Sequence, residues 1–278
     1  MRATGFKRPS PLASLYYWLV FFLRRQCRCR VEVGDERHRY VFNCDSLRAL
    51  RRATTLFVKE AGTVDWLQRE LRAGDVFLDI GANIGIYSLI ASHLVGPEGR
   101  VFAVEPHAIN AVALLENVSV NGMAGRVSVL TVALSDKTGF DQFNYHDWEA
   151  AYSHSQFGRT VDETGRDFVP VCTEVKYGTT VDALVKGGVL PPPNAVKIDV
   201  DGLEPGVLEG MTGVLTGSNR PRSVQVEVGP ATMIAVDEHM TAVGYCIDCR
   251  HHTTKGKRRI RAGAAETAVA HNAVYKLK

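Results

Sequence analysis

The chain has 278 residues, 45% of them hydrophobic and 23% charged, which is ordinary globular composition with enough apolar material for one sizeable core. One large domain with terminal extensions is therefore expected rather than two equal domains, and a net charge of +3 is too small by itself to indicate a nucleic-acid-binding protein. Six cysteines at irregular spacing, with no segment that resembles a cleavable signal peptide, predict reduced thiols in a cytoplasmic protein.

The first predicted element is an apolar segment, residues 12–23, with basic residues on both sides. The flanking basic residues are Lys7, Arg8, Arg24, Arg25, Arg28 and Arg30. A membrane-spanning helix needs about 20 apolar residues, so this segment is too short to cross a bilayer. The cations that follow it also differ from the small residues that end a secretory signal. We expect a helix that packs on the body of the protein or on a second subunit of a homo-oligomer, with peripheral contact to a membrane surface as the alternative.

The next segments are predicted to form a hairpin and a broken helix. Val31 to Phe42 alternates loosely between apolar and polar residues and would turn at Gly34-Asp35. Leu47 to Leu71 has helical periodicity with a break. We therefore expect residues 1–55 to form an N-terminal extension of an apolar and basic helix and a hairpin, and residues 56–278 to form the main domain.

Residues 76–92 form the central motif of the sequence. Val76 to Ile80 is an apolar run of strand length that contains Asp79, and Gly81 and Gly85 enclose a short polar turn. Apolar residues then return at helical spacing. This order of strand, tight glycine turn and helix is typical of the unit that holds a nucleotide-like ligand at the carboxyl end of a parallel strand.

Strands and helices alternate through most of the remaining chain. Further strands are predicted at Arg100–Glu105, Arg126–Val132, Ala195–Val200 and Ser223–Val228, with a terminal antiparallel pair at Tyr245–Cys249 and Ala273–Leu277. An irregular polar and aromatic segment, Phe140 to Thr173, interrupts the alternation, and a basic loop, residues 255–261, is predicted to be the tip of the terminal pair. The pattern predicts an α/β fold with a doubly wound, mostly parallel sheet.

The turn distinguishes between two ligands, a nicotinamide dinucleotide and S-adenosylmethionine. A dinucleotide-binding turn has glycine where the backbone must approach the pyrophosphate, whereas here Asn83 places a side chain in the turn. Asp79 adds a carboxylate that would repel a pyrophosphate and would suit the ammonium and sulfonium groups of S-adenosylmethionine. Glu105, at the end of the next strand, can hydrogen-bond the ribose hydroxyls of either ligand. The turn itself favours S-adenosylmethionine.

Four motifs together resemble the FkbM-type S-adenosylmethionine-dependent methyltransferases, and the likeness runs in order from about Leu56. The motifs are Val-Phe-Leu-Asp79-Ile-Gly81-Ala-Asn83-Ile-Gly85, Val-Glu105-Pro106, Asn117 with Asn121, and Val-Lys197-Ile-Asp199-Val-Asp201-Gly202-Leu-Glu204. The resemblance implies the seven-stranded sheet of class I methyltransferases and O-methylation of a hydroxyl on a sugar or a natural product. One departure is Asp201, where the family commonly has glutamate.

The resemblance also implies which residues bind the cofactor. They are Asp79, Gly81, Asn83 and Gly85 at the methionine end, Glu105 and Pro106 on the ribose side, Ala133 and Leu134 beside the adenine, and Asp199 near the methyl group.

Methyl transfer to a sugar hydroxyl is expected to need a general base, because the hydroxyl is a poor nucleophile until its proton leaves. Asp199 is one candidate for this base. His146 and His154 in the irregular segment are others, since histidine titrates near neutrality. Asp199 and Asp201 could instead bind a divalent cation such as Mg²⁺, with Glu227 as a third ligand. We assign no metal ligand on this basis.

The sequence thus predicts an S-adenosylmethionine-dependent methyltransferase that acts on a sugar-like small molecule, with no nucleic-acid partner expected. Three alternatives stay open. One is an RNA methyltransferase that uses the basic loop, another is a protein that binds the cofactor without transferring its methyl group, and the third is a nicotinamide oxidoreductase.

Overall fold

The computed structural model describes residues 10–26, 29–34 and 38–277. The helices are α1 (Pro11–Gln26), α2 (Leu47–Thr54), α3 (Leu56–Lys59), α4 (Ala61–Glu70), α5 (Ile86–Val95), α6 (Ala108–Val120), α7 (Val181–Lys186), α8 (Glu204–Glu209), α9 (Thr212–Thr216), α10 (Met233–Ala242) and α11 (Thr254–Arg261). The strands are β1 (Cys29–Gly34), β2 (Arg39–Cys44), β3 (Val76–Ile80), β4 (Arg100–Val104), β5 (Val127–Leu130), β6 (Ala133–Leu134), β7 (Gly139–Tyr145), β8 (Gln156–Phe157), β9 (Cys172–Thr179), β10 (Ala195–Ile198), β11 (Ser223–Val228), β12 (Tyr245–His252) and β13 (His271–Leu277). Lys7, Arg8, Arg28 and Asp35, which the sequence analysis singled out, lie outside the described residues.

Seven of the described strands form one sheet in the order β12-β13-β11-β10-β3-β4-β5. β3 pairs in parallel with β4 and β10, β4 pairs in parallel with β5, and β10 pairs in parallel with β11. β13 is antiparallel to both of its neighbours, β11 and β12. The predicted doubly wound, mostly parallel sheet and the terminal antiparallel pair are confirmed.

The central strands of this sheet are buried along almost their whole length. Every residue of β10 is buried, as is every residue of β3 after Val76. Strands that are buried along almost their whole length are typical of parallel sheets that are covered by helices on both faces. Trp66 and Leu89 belong to the core on one face, and Val207 and Met240 belong to the core on the other. This packing fixes the carboxyl ends of β3, β4 and β10 side by side.

A second sheet occupies much of the segment that the sequence predicted to be irregular. β7 pairs with β9 and β8 in antiparallel fashion, and β6 pairs in parallel with β9. Burial along β7 does not alternate, because its first four residues are exposed and its last three, including Phe143 and Tyr145, are buried. Since a half-buried strand is recognised in a sequence by a period of two, β7 gives no such signal. The prediction of irregular structure was wrong there.

The predicted N-terminal hairpin is confirmed as β1 and β2, and it packs on α6. The side-chain oxygen of Asn121 accepts the Val41 N–H at 2.9 Å, and that of Asn117 accepts the Asn43 N–H at 2.9 Å. Asn121 also donates to the Val41 carbonyl at 2.7 Å. The two asparagines therefore satisfy backbone groups of β2 that no strand pairs. The domain boundary after residue 55 stays a prediction.

Helix α1 is not packed on the body of the protein. Ten large apolar side chains between Leu12 and Leu23 are 43–80% exposed. The prediction that this segment packs on the body was therefore wrong. The reason is that the apolar residues surround the helix and do not form one stripe that could be turned inward. No helix in the described ranges is both long enough and apolar enough to span a membrane.

The basic residues between β12 and β13 lie on helix α11 and not on the predicted hairpin loop. The Thr253 hydroxyl begins this helix by accepting the Gly256 N–H at 3.1 Å. Arg258, Arg259 and Arg261 lie in its last turn, where positive charge interacts favourably with the helix dipole. The prediction of a simple hairpin tip was wrong, because these basic residues lie on a helix that is capped by Thr253.

Candidate active site

A cavity of about 320 Å³ opens where β3, β4 and β10 end. The turn after β3 lines part of it, and residues 152–155 line another part. The predicted site residues that line the cavity are Gly81, Asn83, Glu105, Pro106, Ala133, Leu134, His154 and Asp199. Asp79, Gly85 and His146 are not among its lining residues. The structure thus brings most of the predicted cofactor residues to one surface.

The two glycines of the turn have left-handed backbone conformations and close neighbours. Gly81 has a φ of +75°, and a Cβ there would lie 1.8 Å from the Asp199 carbonyl oxygen. Gly85 has a φ of +89°, and a Cβ there would lie 2.3 Å from a methyl group of Leu114. A left-handed backbone therefore disfavours a side chain at both positions, and at Gly81 the nearby backbone carbonyl also leaves no space for one. The turn is held against β10 on one side and α6 on the other.

Asp79 lies behind the turn and is fully buried. One of its carboxylate oxygens accepts a hydrogen bond from the Ser88 hydroxyl at 2.6 Å, and the other lies 3.6 Å from the Lys197 ammonium. Burial raises the pKa of Asp79, while Lys197 and Ser88 oppose that rise. These contacts tie β3 to α5 and β10. Direct contact between Asp79 and the methionine ammonium of the cofactor stays a prediction.

Glu105 is buried at the cavity wall and organises the turn from the side of β4. Its carboxylate accepts the Asn83 N–H at 2.7 Å and the His107 N–H at 2.9 Å. Burial raises the pKa of Glu105 to about 7, although these hydrogen bonds counteract the rise. The position beside the turn suits the predicted contact with ribose hydroxyls.

Two asparagine side chains fasten a loop of the second sheet to the turn. Asn83 and Asn110 each donate to the Tyr152 carbonyl at 3.0 Å, and the side-chain oxygen of Asn110 accepts the Ala151 N–H at 2.8 Å. Asn83 has a φ of +52°, a conformation that asparagine adopts more readily than most residues. Asn110 was not identified from the sequence. No local signal marks it, because its partners lie about 40 residues away.

The predicted adenine side is apolar. Ala133 and Leu134 are buried in β6 and line the cavity together with Phe143 and Phe157. The two phenylalanines belong to β7 and β8, which sequence analysis did not predict. Apolar side chains of this kind suit a flat ring, and the assignment of adenine to this region stays a prediction.

A chain of charged groups lies at the end of β10. The Lys197 ammonium, which is 1% exposed, lies 3.2 Å from Asp199 and 3.6 Å from Asp79. Burial alone would raise the pKa of Asp199, but Lys197 and a hydrogen bond from Glu227 hold that pKa well below its ordinary value. The charge of Asp199, together with burial, raises the pKa of Glu227 well above its ordinary value. Asp199 is therefore the more acidic carboxyl of this pair, and Glu227 is the more readily protonated one.

His154 lines the cavity and is held by two carboxylates. Its Nδ1 lies 2.9 Å from Glu163 and 3.5 Å from Asp201, and its backbone N–H donates to Asp201 at 2.8 Å. In the tautomer that donates Nδ1–H to Glu163, Nε2 carries a lone pair that can accept a hydrogen bond or a proton. His146 differs, because its ring stacks on Tyr152 and its Nδ1 lies 2.9 Å from the Tyr152 hydroxyl. Only His154 of the two predicted histidines lines the cavity.

Arg52 of α2 brings a guanidinium to the same cavity. Its Nε donates to the Ala151 carbonyl at 3.0 Å, and a terminal nitrogen donates to the Ser153 hydroxyl at 2.6 Å. The charge of Arg52 also contributes to the lowered pKa of Asp199. No carboxylate of the described residues lies within ion-pair distance of Arg52. The other cavity cations differ, since Lys59 lies 3.0 Å from Glu60 and Lys197 is paired as described above.

The residues that the sequence analysis considered as metal ligands do not all belong to one group in the structure. Among the described residues, the group of three that could hold a cation consists of His154, Glu163 and Asp201. Asp199 and Glu227 do not belong to this group, and Asp199 interacts instead with Lys197 and Glu227. The trio of Asp199, Asp201 and Glu227, which the sequence analysis considered without assigning a metal to it, is therefore not the group that the structure brings together.

The fold and the site define a class I methyltransferase, with a seven-stranded sheet that presents a glycine turn and an acidic ribose-side residue to one cavity. The family model of the methyltransferase FkbM domain matches residues 79–247, which is more than half of the chain. The chain belongs to this family.

Two curated relatives and one solved structure are similar to the chain. The hexuronic acid methyltransferase AglP of Haloferax volcanii is 32% identical over 160 residues, which cover 58% of this chain and 59% of that protein. The 31-O-demethyl-FK506 methyltransferase FkbM of Streptomyces tacrolimicus is 42% identical over 77 residues, 28% of each chain. A crystal structure of an S-adenosylmethionine-dependent methyltransferase from Aquifex aeolicus has a TM-score of 0.42 at 13% identity, covering 81% of this chain and 92% of that one. The chain spans less than two thirds of the length of either curated relative.

Proposed function

We propose that this protein transfers the methyl group of S-adenosylmethionine to a hydroxyl of an acidic sugar. The observation that carries the proposal is that one cavity joins the turn at Gly81 and Asn83, with Glu105 beside it, to the His154–Glu163 pair. The first set has the chemistry of a cofactor site, and the second has the chemistry of a general base. Family membership supports the same reaction class.

The residues of the cofactor end fit S-adenosylmethionine. Gly81 lines the cavity without a side chain, and Glu105 offers a carboxylate to two ribose hydroxyls. The ionised Asp199 lies at the same cavity and would attract the positive charges of the methionine end. The cofactor, when bound, supplies a methyl group that is electrophilic because it is carried by a sulfonium.

His154 is the base in this proposal. Glu163 holds its Nδ1–H, so that Nε2 can take the proton of the acceptor hydroxyl as the oxygen attacks. Asp199 is a weaker candidate for a base because its lowered pKa makes its carboxylate a poor proton acceptor. In this proposal Asp199 orients the methionine end of the cofactor and balances its positive charges. Alignment of acceptor and methyl group by the cavity walls supplies much of the remaining rate enhancement.

Arg52 supports an acidic acceptor. A guanidinium that lines a cavity without a carboxylate partner is suited to bind a carboxylate in a bidentate manner. One relative is named for hexuronic acid, which carries such a carboxylate. A single unpaired cation matches a singly charged carboxylate better than a doubly charged phosphate monoester.

Replacement of Arg52 tests this acceptor assignment. We expect Arg52→Gln to raise the KM for a uronic acid about 10- to 100-fold, the effect of losing one charge-assisted hydrogen-bonded pair, with little change in kcat or in affinity for the cofactor. Steady-state kinetics with a uronic acid and with the matching neutral sugar measure the effect. Arg48→Gln is the control, because Arg48 pairs with Glu149 outside the cavity. An equal loss for both sugars would contradict a carboxylate subsite.

The activity itself is tested with labelled S-adenosylmethionine. The protein is incubated with a panel of uronic acids, neutral sugars and RNA, and the labelled product is identified. We expect an alkali-stable methyl ether on an acidic sugar. An alkali-labile product would place the methyl group on the carboxylate. Labelled RNA would establish the RNA alternative, which the two curated relatives do not favour. Cofactor binding by calorimetry without turnover of any acceptor would indicate a non-catalytic protein.

The raised pKa of Glu105 predicts that cofactor affinity depends on pH. Ribose hydroxyls donate to a carboxylate, so binding favours ionised Glu105, whose pKa is about 7 in the free protein. Affinity should rise from pH 6 to pH 8 and then level off, with up to about a tenfold change per pH unit below the pKa. The stability of the protein without cofactor should show the opposite trend with pH. Because this pKa lies above the ordinary value of 4.5, stability is lost as the pH rises from 4.5 to 7.

Calorimetric titration of S-adenosylmethionine at several pH values measures this dependence. Glu105→Gln is the control, since it removes the ionisation while keeping an acceptor oxygen, and its weaker binding should not vary with pH. A wild-type affinity that is constant from pH 6 to pH 8 would remove Glu105 from the ribose site.

We also propose that the reaction proceeds in the cytoplasm and without an essential metal. In this proposal His154 is the general base, a role that it would lose if the cluster with Glu163 and Asp201 held a cation. Activity should therefore survive dialysis against EDTA. A loss that Mg²⁺ restores would replace the base by a metal-assisted mechanism.

A further inference from the structure

Helix α1 presents an apolar surface that the fold leaves uncovered. Its exposed side chains are Leu12, Leu15, Tyr16, Tyr17, Trp18, Leu19, Val20, Phe21, Phe22 and Leu23. We call these ten side chains the α1 surface. A contiguous exposed surface of ten large apolar side chains marks a site that interacts with a protein or a membrane.

The α1 surface extends around the whole helix. Leu15 to Leu23 are consecutive apolar residues, and successive side chains on a helix are about 100° apart. Nine such residues point in every direction from the axis. A protein partner that docks on one side would leave the opposite side in water, whereas the apolar region of a lipid layer can surround a helix. The distribution of the side chains therefore favours lipid.

The charges near the α1 surface favour an anionic lipid. Residues 1–31 contain seven Lys and Arg residues and no Asp or Glu. Basic residues next to an apolar helix are attracted to anionic headgroups. A second copy of this chain would bring the same positive charges to the contact, and the two copies would repel each other there.

The composition of α1 matches the boundary between headgroups and acyl chains. Tyr16, Tyr17 and Trp18 are residues that prefer this boundary. The twelve residues from Leu12 to Leu23 span about 18 Å at 1.5 Å per residue, well below the hydrocarbon thickness of about 30 Å. We propose that α1 inserts into one leaflet of a membrane with anionic lipids and attaches the methyltransferase domain to that surface.

Sedimentation with vesicles tests the proposal on the full chain. We expect at least tenfold more protein to sediment with vesicles of phosphatidylcholine and phosphatidylglycerol at 7:3 than with phosphatidylcholine alone, and salt should reduce the difference. The double variant Trp18→Glu with Phe21→Glu should lose at least tenfold in binding. It should keep its thermal unfolding midpoint and cofactor affinity, because α1 does not pack on the core.

The matched control is Val112→Glu with Leu115→Glu. These two residues are also three positions apart, exposed and apolar, but they lie on α6. The control should bind vesicles as the wild type does. Equal binding by all three proteins would overturn the proposal, as would the absence of vesicle binding by the wild type. A lipid-free dimer that the α1 double variant converts to a monomer would assign the surface to a second copy instead.

Discussion

Replacement of His154 by Gln is expected to lower kcat about 10²- to 10⁴-fold, the usual contribution of a positioned general base. The imidazole is held by Glu163 through Nδ1 and faces the cavity that also contains the cofactor turn. Gln keeps a group of similar size but cannot accept the proton of the acceptor hydroxyl. Affinity for S-adenosylmethionine should change little, since the turn and Glu105 are untouched.

Single-turnover kinetics with a saturating acceptor, together with calorimetry for the cofactor, measure this effect. His146→Gln is the matched control, because His146 is stacked on Tyr152 and does not line the cavity. Its kcat should fall much less. Glu163→Gln should give an intermediate loss in kcat without a matching rise in KM, since Glu163 is a positioning residue that acts through His154. Comparable losses in the two histidine variants would contradict the assignment of His154.

The sequence was sufficient to predict the central sheet and the glycine turn that lines the cavity. Both depend on local patterns: buried parallel strands are continuous apolar runs, and the turn needs glycine at Gly81 and Gly85 within five residues. Glu105 could be added because the carboxyl ends of neighbouring parallel strands meet at one edge of the sheet. In each case the order of strands and turns along the chain is enough to say which residues lie together.

The acceptor end could not be predicted in the same way because it depends on contacts between distant segments. Arg52 donates to Ala151 and Ser153, about 100 residues away, and a lone arginine on a helix is ordinarily a solvated residue. Phe143 was hidden in a strand whose burial does not alternate. The prediction for α1 failed for another reason, since an apolar segment does not reveal whether protein or lipid will cover it.

The Gly81→Ala variant should lose about 100-fold or more in affinity for S-adenosylmethionine and about 4 kcal/mol in stability, in the range of the most damaging single substitutions. The new Cβ would lie 1.8 Å from the Asp199 carbonyl oxygen, at a φ of +75°. The turn must move away from β10 to relieve this clash. Displacement of the turn also disturbs the hydrogen bond between the Asn83 N–H and Glu105, so that cofactor site and fold are damaged together.

The matched control separates backbone strain from the clash. Gly74 has a φ of +84°, similar to that of Gly81, but a Cβ there would meet no atom within 4 Å. Gly74→Ala should therefore cost only the strain of a left-handed alanine, about 1–2 kcal/mol, and leave cofactor affinity unchanged. Urea unfolding and calorimetric titration of both variants give the comparison. If Gly81→Ala lost no more stability or affinity than Gly74→Ala, the turn would not be held against β10, and the cofactor site would need another boundary.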